Sequence, residues 1–395
     1  MLNEKMRELG CNRSTIRELF EFGKKLKSEI GDENVFDFSL GNPSVPPPAE
    51  LAEKIDFILK NTDETILHGY TSAEGDRAVR QRIADYITEA FGAVSSPDYI
   101  YLTAGAAAAL TSVLGAITNP GESVVVIAPY FPEYKVFIER GGASIKPVMA
   151  KATDFCPDIN ALAEAIDQSC AAVIINSPNN PTGTVYSEDD IVALAKLLTE
   201  KSEEYGHPIY LISDEPYREL AYGGAFVPYV PNYYKNTVVC YSYSKSLSIP
   251  GERIGYVFVS PIADNADLVF RSVCGAGRAL GYVCAPSLLQ RLIGELQGKT
   301  SDIEIYDSNR RILLDALTEY GYEVIEPRGA FYLFVKSMAE SAKEFSEAAK
   351  EFGLLLVPSD DFGCGGYVRI AYCQSPEMIK RSLPKFKELA DKFKT

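Results

Sequence analysis

Residues 171–186 read Ala-Ala-Val-Ile-Ile-Asn-Ser-Pro-Asn-Asn-Pro-Thr-Gly-Thr-Val-Tyr; an amphipathic stretch follows from Ile191 to Tyr205, and then Ile209-Tyr-Leu-Ile-Ser213. An apolar run too short for a helix, a turn rich in Pro and Asn, a helical pattern and a second short apolar run make a strand–helix–strand unit. The same alternation extends outward, to apolar runs at 99–102 and 123–128 on one side and at 238–241 and 254–259 on the other. Short runs separated by helices and long connections predict an α/β fold, with a mostly parallel sheet covered by helices on both faces. Ligands of such sheets sit beyond the carboxyl ends of the strands. The residues falling there are Gly105, Asn180, Asp214, Ser242 and Lys245.

The flanks have a different character. Ser14 is positioned to cap a helix running to Gly31, with Ile16, Leu19, Phe20 and Ile30 on or near one face. A strand-like run at 35–40 meets Gly41 and then Pro43, Pro46, Pro47 and Pro48, which make an extended connector because proline has no donor and a fixed torsion. Helical periodicity resumes near Leu51 and over 77–91. Beyond the sheet a helix at 303–320 leads to strands near 331–335, 354–357 and 367–371, and a last helix covers 376–393. Strand and helix no longer alternate strictly there, which predicts a smaller α+β domain. The expected division is a large domain at 49–285 and a small one built from 1–48 and 286–395.

The net charge of −15 argues against nucleic acid or an anionic membrane as a partner, and any anionic ligand needs a locally positive pocket. Eight scattered cysteines contain no Cys-x-x-Cys pair, so they read as reduced thiols. His68 and His207 are the only histidines, with no neighbours at metal-ligand spacing, and no metal is expected. The polar start MLNEKMRELG lacks the apolar core of a secretion signal, and no apolar run approaches the roughly 20 residues that span a bilayer. The expectation is a cytoplasmic protein.

Three segments carry candidate chemistry. In Thr103-Ala-Gly-Ala-Ala-Ala108 a small-residue turn opens an alanine-rich helix, whose free amides suit a phosphate, or which is simply a tight turn. Asp214-Glu-Pro-Tyr217 puts a carboxylate at a strand end, where it needs a cation or hydrogen bonds, or acts as a helix cap or loop acid. Tyr241-Ser-Tyr-Ser-Lys-Ser246, with Arg253 beyond it, offers an amine that forms an imine if its surroundings lower its pKa, or else a solvated surface lysine.

Taken together, Asn180-Pro-Thr-Gly183, Asp214-x-x-Tyr217, Ser242-x-Ser-Lys245 and Gly251-x-Arg253-x-Gly255 resemble, in order and spacing, the class I/II aminotransferases of fold type I, the aspartate aminotransferase superfamily. The resemblance spans Gly41 to Arg369. It implies a pyridoxal 5'-phosphate enzyme that moves an amino group between an L-amino acid and a 2-oxo acid. Lys245 resembles the family lysine that holds the cofactor as a Schiff base and then shuttles the proton. Asp214 matches the acid that keeps the pyridine nitrogen protonated, and Tyr217 and Asn180 match the partners of the phenolic oxygen. Phe131 matches the ring-stacking position; Gly105, Ala106, Ala107, Ser242, Ser244 and Arg253 match the phosphate site. Tyr70, in His68-Gly-Tyr-Thr-Ser-Ala-Glu-Gly75, matches a tyrosine given to the neighbouring subunit's phosphate, which implies a homodimer with composite sites. Arg369, in Tyr367-Val-Arg-Ile-Ala371, matches the residue that pairs with the substrate's α-carboxylate, beside Gly41 and Asn180.

Three positions depart from the family's pattern. Ala107 stands where many relatives carry a polar side chain, Ser359 replaces a common glycine, and the chain has no tryptophan for the stacking position. The alternatives are a carbon–sulfur lyase on the same fold, which would share every cofactor residue, and a cofactor-binding regulator without turnover. Arg271 and Arg278 are candidate partners for a distal substrate carboxylate, though both also read as solvated arginines.

Overall fold

In the computed structural model the described residues are 2–11 and 14–394. Two helices, α1 (Glu4–Cys11) and α2 (Thr15–Ile30), precede a short strand, β1 (Phe36–Asp37). Ser14 sits at the amino end of α2 without a side-chain cap, and Gly31 ends the helix at φ 90°. Leu19 is buried as expected, whereas Ile30 is 44% exposed, so the apolar face stops short of the helix end. Helices α3 (Glu50–Asn61), α4 (Glu64–Leu67) and α5 (Arg77–Phe91) follow. Asp63 and Asp76 start the last two by accepting bonds from the free amides of the first turn.

The alternating region is β2 (Ile100–Thr103), α6 (Ala106–Ile117), β3 (Ser123–Ala128), α7 (Glu133–Arg140), β4 (Ser144–Met149), α8 (Ile159–Ala165), β5 (Cys170–Asn176), α9 (Glu188–Tyr205), β6 (Tyr210–Asp214), β7 (Thr237–Ser242), α10 (Tyr243–Ser246) and β8 (Gly255–Val259). The seven strands lie in the order β2-β8-β7-β6-β5-β3-β4. All pairs are parallel except those of β8, which runs antiparallel to both β2 and β7. Every residue of β3, β5, β7 and β8 is buried, the pattern of strands covered on two faces. Strand β4 was absent from the sequence expectation.

Helices α11 (Ala266–Ala279), α12 (Ser287–Glu295) and α13 (Glu304–Glu319) lead to β9 (Tyr332–Lys336), α14 (Ala342–Lys350), β10 (Leu354–Leu355), β11 (Val357–Pro358), β12 (Tyr367–Ala371) and α15 (Pro376–Phe393). The expected strand at 354–357 is two strands with different partners: β10 pairs with β1, and β11 with β12. The expected strand at 35–40 is paired only at Phe36 and Asp37. Leu289, Leu292 and Ile293 of α12 share a core with Ile58, Val79 and Ile83, so this helix braces α3 and α5. A separate core gathers Phe38 of the amino-terminal segment with Tyr306, Phe331, Phe345, Ile370 and Phe386 of the carboxyl-terminal third. Among the described residues no helix is long and apolar enough to cross a membrane.

Candidate active site

The carboxyl ends of β5, β6 and β7 open into a cavity of about 310 Å³. Asn176, Asn180, Asp214, Tyr217, Ser242, Ser244, Lys245, Arg253 and Arg369 all line it, together with Gly41, Ala106, Ala107 and Phe131. Residues scattered from 41 to 369 thus meet where an α/β sheet exposes its strand ends.

One wall is built for an anion. Gly105 turns the chain from β2 into α6 at φ 80°, a conformation that glycine adopts without penalty. A methyl there would also stand 2.7 Å from the Arg253 guanidinium, so the arginine packs closely against the turn. The first amides of α6 have no partner within the helix, and its positive end faces the cavity. Opposite, Ser242 caps α10 and its hydroxyl donates to Ser244 Oγ at 2.8 Å; Arg253 reaches Ser244 at 3.4 Å and the Pro250 carbonyl at 2.9 Å.

Asp214 closes the floor. It ends β6 and is 5% exposed. The Tyr134 hydroxyl donates to Oδ2 at 2.6 Å, and Oδ1 has no partner among the described residues. Burial pushes its pKa up to about 7, against the lowering by Tyr134. Asn176 fixes the strand end by donating to the Asp214 carbonyl at 2.8 Å, and its own carbonyl oxygen accepts from the Asn180 amide at 2.7 Å.

Lys245, on α10, donates to the Gly41 carbonyl at 2.5 Å. Its burial lowers the pKa to about 8, and Arg253 and Arg369 press in the same direction. An amine so placed is a nucleophile near neutral pH, not a solvated surface charge. Arg369, 2% exposed, donates to Asn180 Oδ1 at 3.0 Å and to the Ser39 carbonyl at 2.6 Å, while its Nε has no partner among the described residues. Its guanidinium lies over the rings of Tyr332 (4.7 Å) and Phe362 (5.2 Å). The Tyr332 hydroxyl is 2.8 Å from that of Tyr217, so the two tyrosines join the acid end of the cavity to the arginine end.

Tyr70 is not brought into this cavity. It is 93% exposed and lines a separate surface recess with Thr65, Ile66, Asp76 and Arg291. Sequence reasoning missed Tyr134, Tyr332 and Asn176. Tyr134 follows Phe131 by three residues, and Tyr332 lies in Gly-Ala-Phe-Tyr before an apolar strand, but each also reads as an ordinary core aromatic. Ile16 of α2 also borders the cavity. Among the described residues no cluster of His, Cys, Asp or Glu is arranged to hold a metal ion.

The family model described as aminotransferase class I and II matches residues 33–386. The chain belongs to that family. It is 30% identical to the (5-formylfuran-3-yl)methyl phosphate transaminase of Methanocaldococcus jannaschii, over 95% of this chain and 96% of that one. It is also 30% identical to an aspartate aminotransferase of Pyrococcus horikoshii, over 94% and 93% of the two chains. A crystal structure titled as an amino transferase from Eubacterium rectale superposes with a TM-score of 0.98 at 50% identity, covering all of both chains. All of these names are of amino-group transfer and none of lyase or regulator, and the fold is that of fold-type-I pyridoxal-phosphate enzymes. Aminotransferases of this family depend on pyridoxal phosphate, and the cavity fits that group: the unpartnered Asp214 Oδ1 suits a protonated ring nitrogen, the anion wall a phosphate, and the neutral-leaning Lys245 an aldehyde.

Proposed function

We propose that this aminotransferase carries pyridoxal phosphate on Lys245 and exchanges amino groups between a small L-amino acid and a 2-oxo acid. The observation that carries the reading is the pairing, in one buried cavity, of an amine lowered to about 8 with a carboxylate that has one oxygen free. When bound, the cofactor supplies an electron sink for the pair left by removal of the substrate's α-proton. Asp214 would hold a proton on the ring nitrogen, and Tyr217 and Asn180 would bond the phenolic oxygen. Phe131, which lines the cavity, would stack on the ring. Gly105, Ala106 and Ala107, with Ser242, Ser244 and Arg253, hold the phosphate; the arginine's planar fork suits two oxygens at once. Arg369, presented by Asn180 and Ser39, takes the α-carboxylate of each substrate in turn beside Gly41. Once the substrate has freed its amine, Lys245 would take and return the proton, and in this structure that amine donates to the Gly41 carbonyl.

The exposure of Tyr70 supports a homodimer in which this side chain completes the phosphate site of a second subunit. The eight cysteines, none of them paired, support a reducing cytoplasm. The proposed division is into 49–285 and 1–48 with 286–395, save that α12 packs into the core of the larger unit. The test is a screen of amino donors against pyruvate and 2-oxoglutarate, followed by borohydride reduction and peptide mapping. The cofactor is expected on Lys245 and nowhere else; label at another lysine, or turnover unaffected in Lys245→Ala, refutes the assignment.

A further inference from the structure

Asp214 is oriented by a single side chain. Tyr134, 2% exposed at the start of α7, donates its hydroxyl to Oδ2, and among the described residues no other side chain bonds this carboxylate. The neighbouring groups are otherwise engaged or neutral. Glu215 is held by Ser213 at 2.7 Å and Arg218 at 2.5 Å, the Tyr217 hydroxyl by Tyr332, and Cys240 is a buried thiol on the next strand. The Tyr134 ring also meets Phe131 edge-on, with centroids 5.7 Å apart at 88°. One tyrosine therefore supports both the acid on the cavity floor and the aromatic ring beside it. A buried phenol needs a polar partner, and phenylalanine would fill the same volume without one, so the hydroxyl is the informative atom.

We propose that Tyr134 is a positioning residue for amino-group transfer: its bond to Oδ2 turns the free Oδ1 toward the cofactor ring and favours the ionised carboxylate. This rests on the pyridoxal-phosphate reading of the cavity. A hydrogen bond donated to a carboxylate stabilises the charged form, so its removal raises the carboxyl pKa. Activity that needs the anion is lost as pH falls through that pKa, and the loss then begins at higher pH. Tyr134 itself stays a donor throughout, because burial beside Asp214 holds its own pKa well above the usual tyrosine value.

The experiment compares the wild-type holoenzyme with Tyr134→Phe, and uses Tyr130→Phe as a control, a buried tyrosine of the same core. In Tyr134→Phe the acidic limb of kcat/KM should move up by about one to two pH units, the range set by a bond to a charged group. The infrared carbonyl band of protonated Asp214, identified by its absence in Asp214→Asn, should move its midpoint in the same direction in cofactor-free protein. Tyr130→Phe should move neither. A slower Tyr134→Phe enzyme with both midpoints unmoved overturns the proposal and leaves Tyr134 as packing. Wild-type protein that fails to take up pyridoxal phosphate overturns the cavity reading itself, a distinguishable result.

Discussion

The lowered pKa of Lys245 gives a direct prediction about reactivity. An ordinary lysine with a pKa of 10.5 has about one amine in a thousand uncharged at pH 7.5, whereas a pKa of about 8 leaves about a quarter uncharged. The main cause is burial, which removes water from the ammonium, and the like charges of Arg253 and Arg369 add to it. At that pH the uncharged, attacking form of Lys245 should therefore be roughly 200-fold more populated than that of an ordinary lysine. The assay exposes cofactor-free protein briefly to pyridoxal phosphate over pH 6 to 11, traps with borohydride, and quantifies the Lys245 peptide against peptides bearing surface lysines. Labelling at Lys245 should rise with a midpoint near 8 and level off above it. Surface sites should keep rising toward pH 10. A Lys245 curve that follows the surface lysines would refute the argument that burial activates this amine.

Three further outcomes follow from the site. Asp214→Asn preserves volume but not charge, and should lower the single-turnover rate of α-proton removal by about a hundredfold or more while the cofactor stays bound. In Arg369→Ala the loss of a charged, bifurcated partner should raise the amino-acid KM roughly a hundredfold, equivalent to about 2.7 kcal/mol, and a KM within twofold of wild type would remove the assignment. Mixing Tyr70→Ala with Lys245→Ala subunits should restore roughly a quarter of wild-type activity, since half of randomly mixed dimers are hybrids with one intact site; activity no greater than the average of the two variants alone would exclude a shared site.

The sheet was legible because β3, β5, β7 and β8 are buried on both faces, which leaves unbroken apolar runs in the chain. Strand β4 was not, since Ser144-Ile-Lys-Pro-Val-Met149 pairs only with β3, at the sheet's edge, where a proline and exposed polar residues are tolerated. The reversed direction of β8 was equally hidden, because burial periodicity carries no sign. The run at 35–40 leaves the sheet early for a reason local to the site: Ser39 gives its carbonyl to Arg369, and Phe38 gives its own to the Ala371 amide. Lys245, Asp214, Asn180 and Arg369 were found as motif residues. Tyr134 and Tyr332 were not, because their hydroxyl partners lie far along the chain and nothing in their neighbours distinguishes them from packing aromatics.

The contact of Gly105 with Arg253 bears on how the protein assembles. Gly105 leaves β2 and Gly255 enters β8; a methyl at 255 would stand 3.2 Å from the Gly105 Cα and 2.2 Å from the Tyr241 carbonyl. The turn against Arg253, proposed above as the phosphate site, therefore does not exist until two segments distant in sequence have paired, with Thr103 opposite Gly255. Non-local pairing of this kind is slow to form. A phosphate ligand binds only chains that have completed it, and at a hundred times its Kd it adds about 2.7 kcal/mol to the native state. Inorganic phosphate alone should thus slow the opening of the β2 edge to hydrogen exchange, because the proposed anion site is closed by the pairing of β2 with β8.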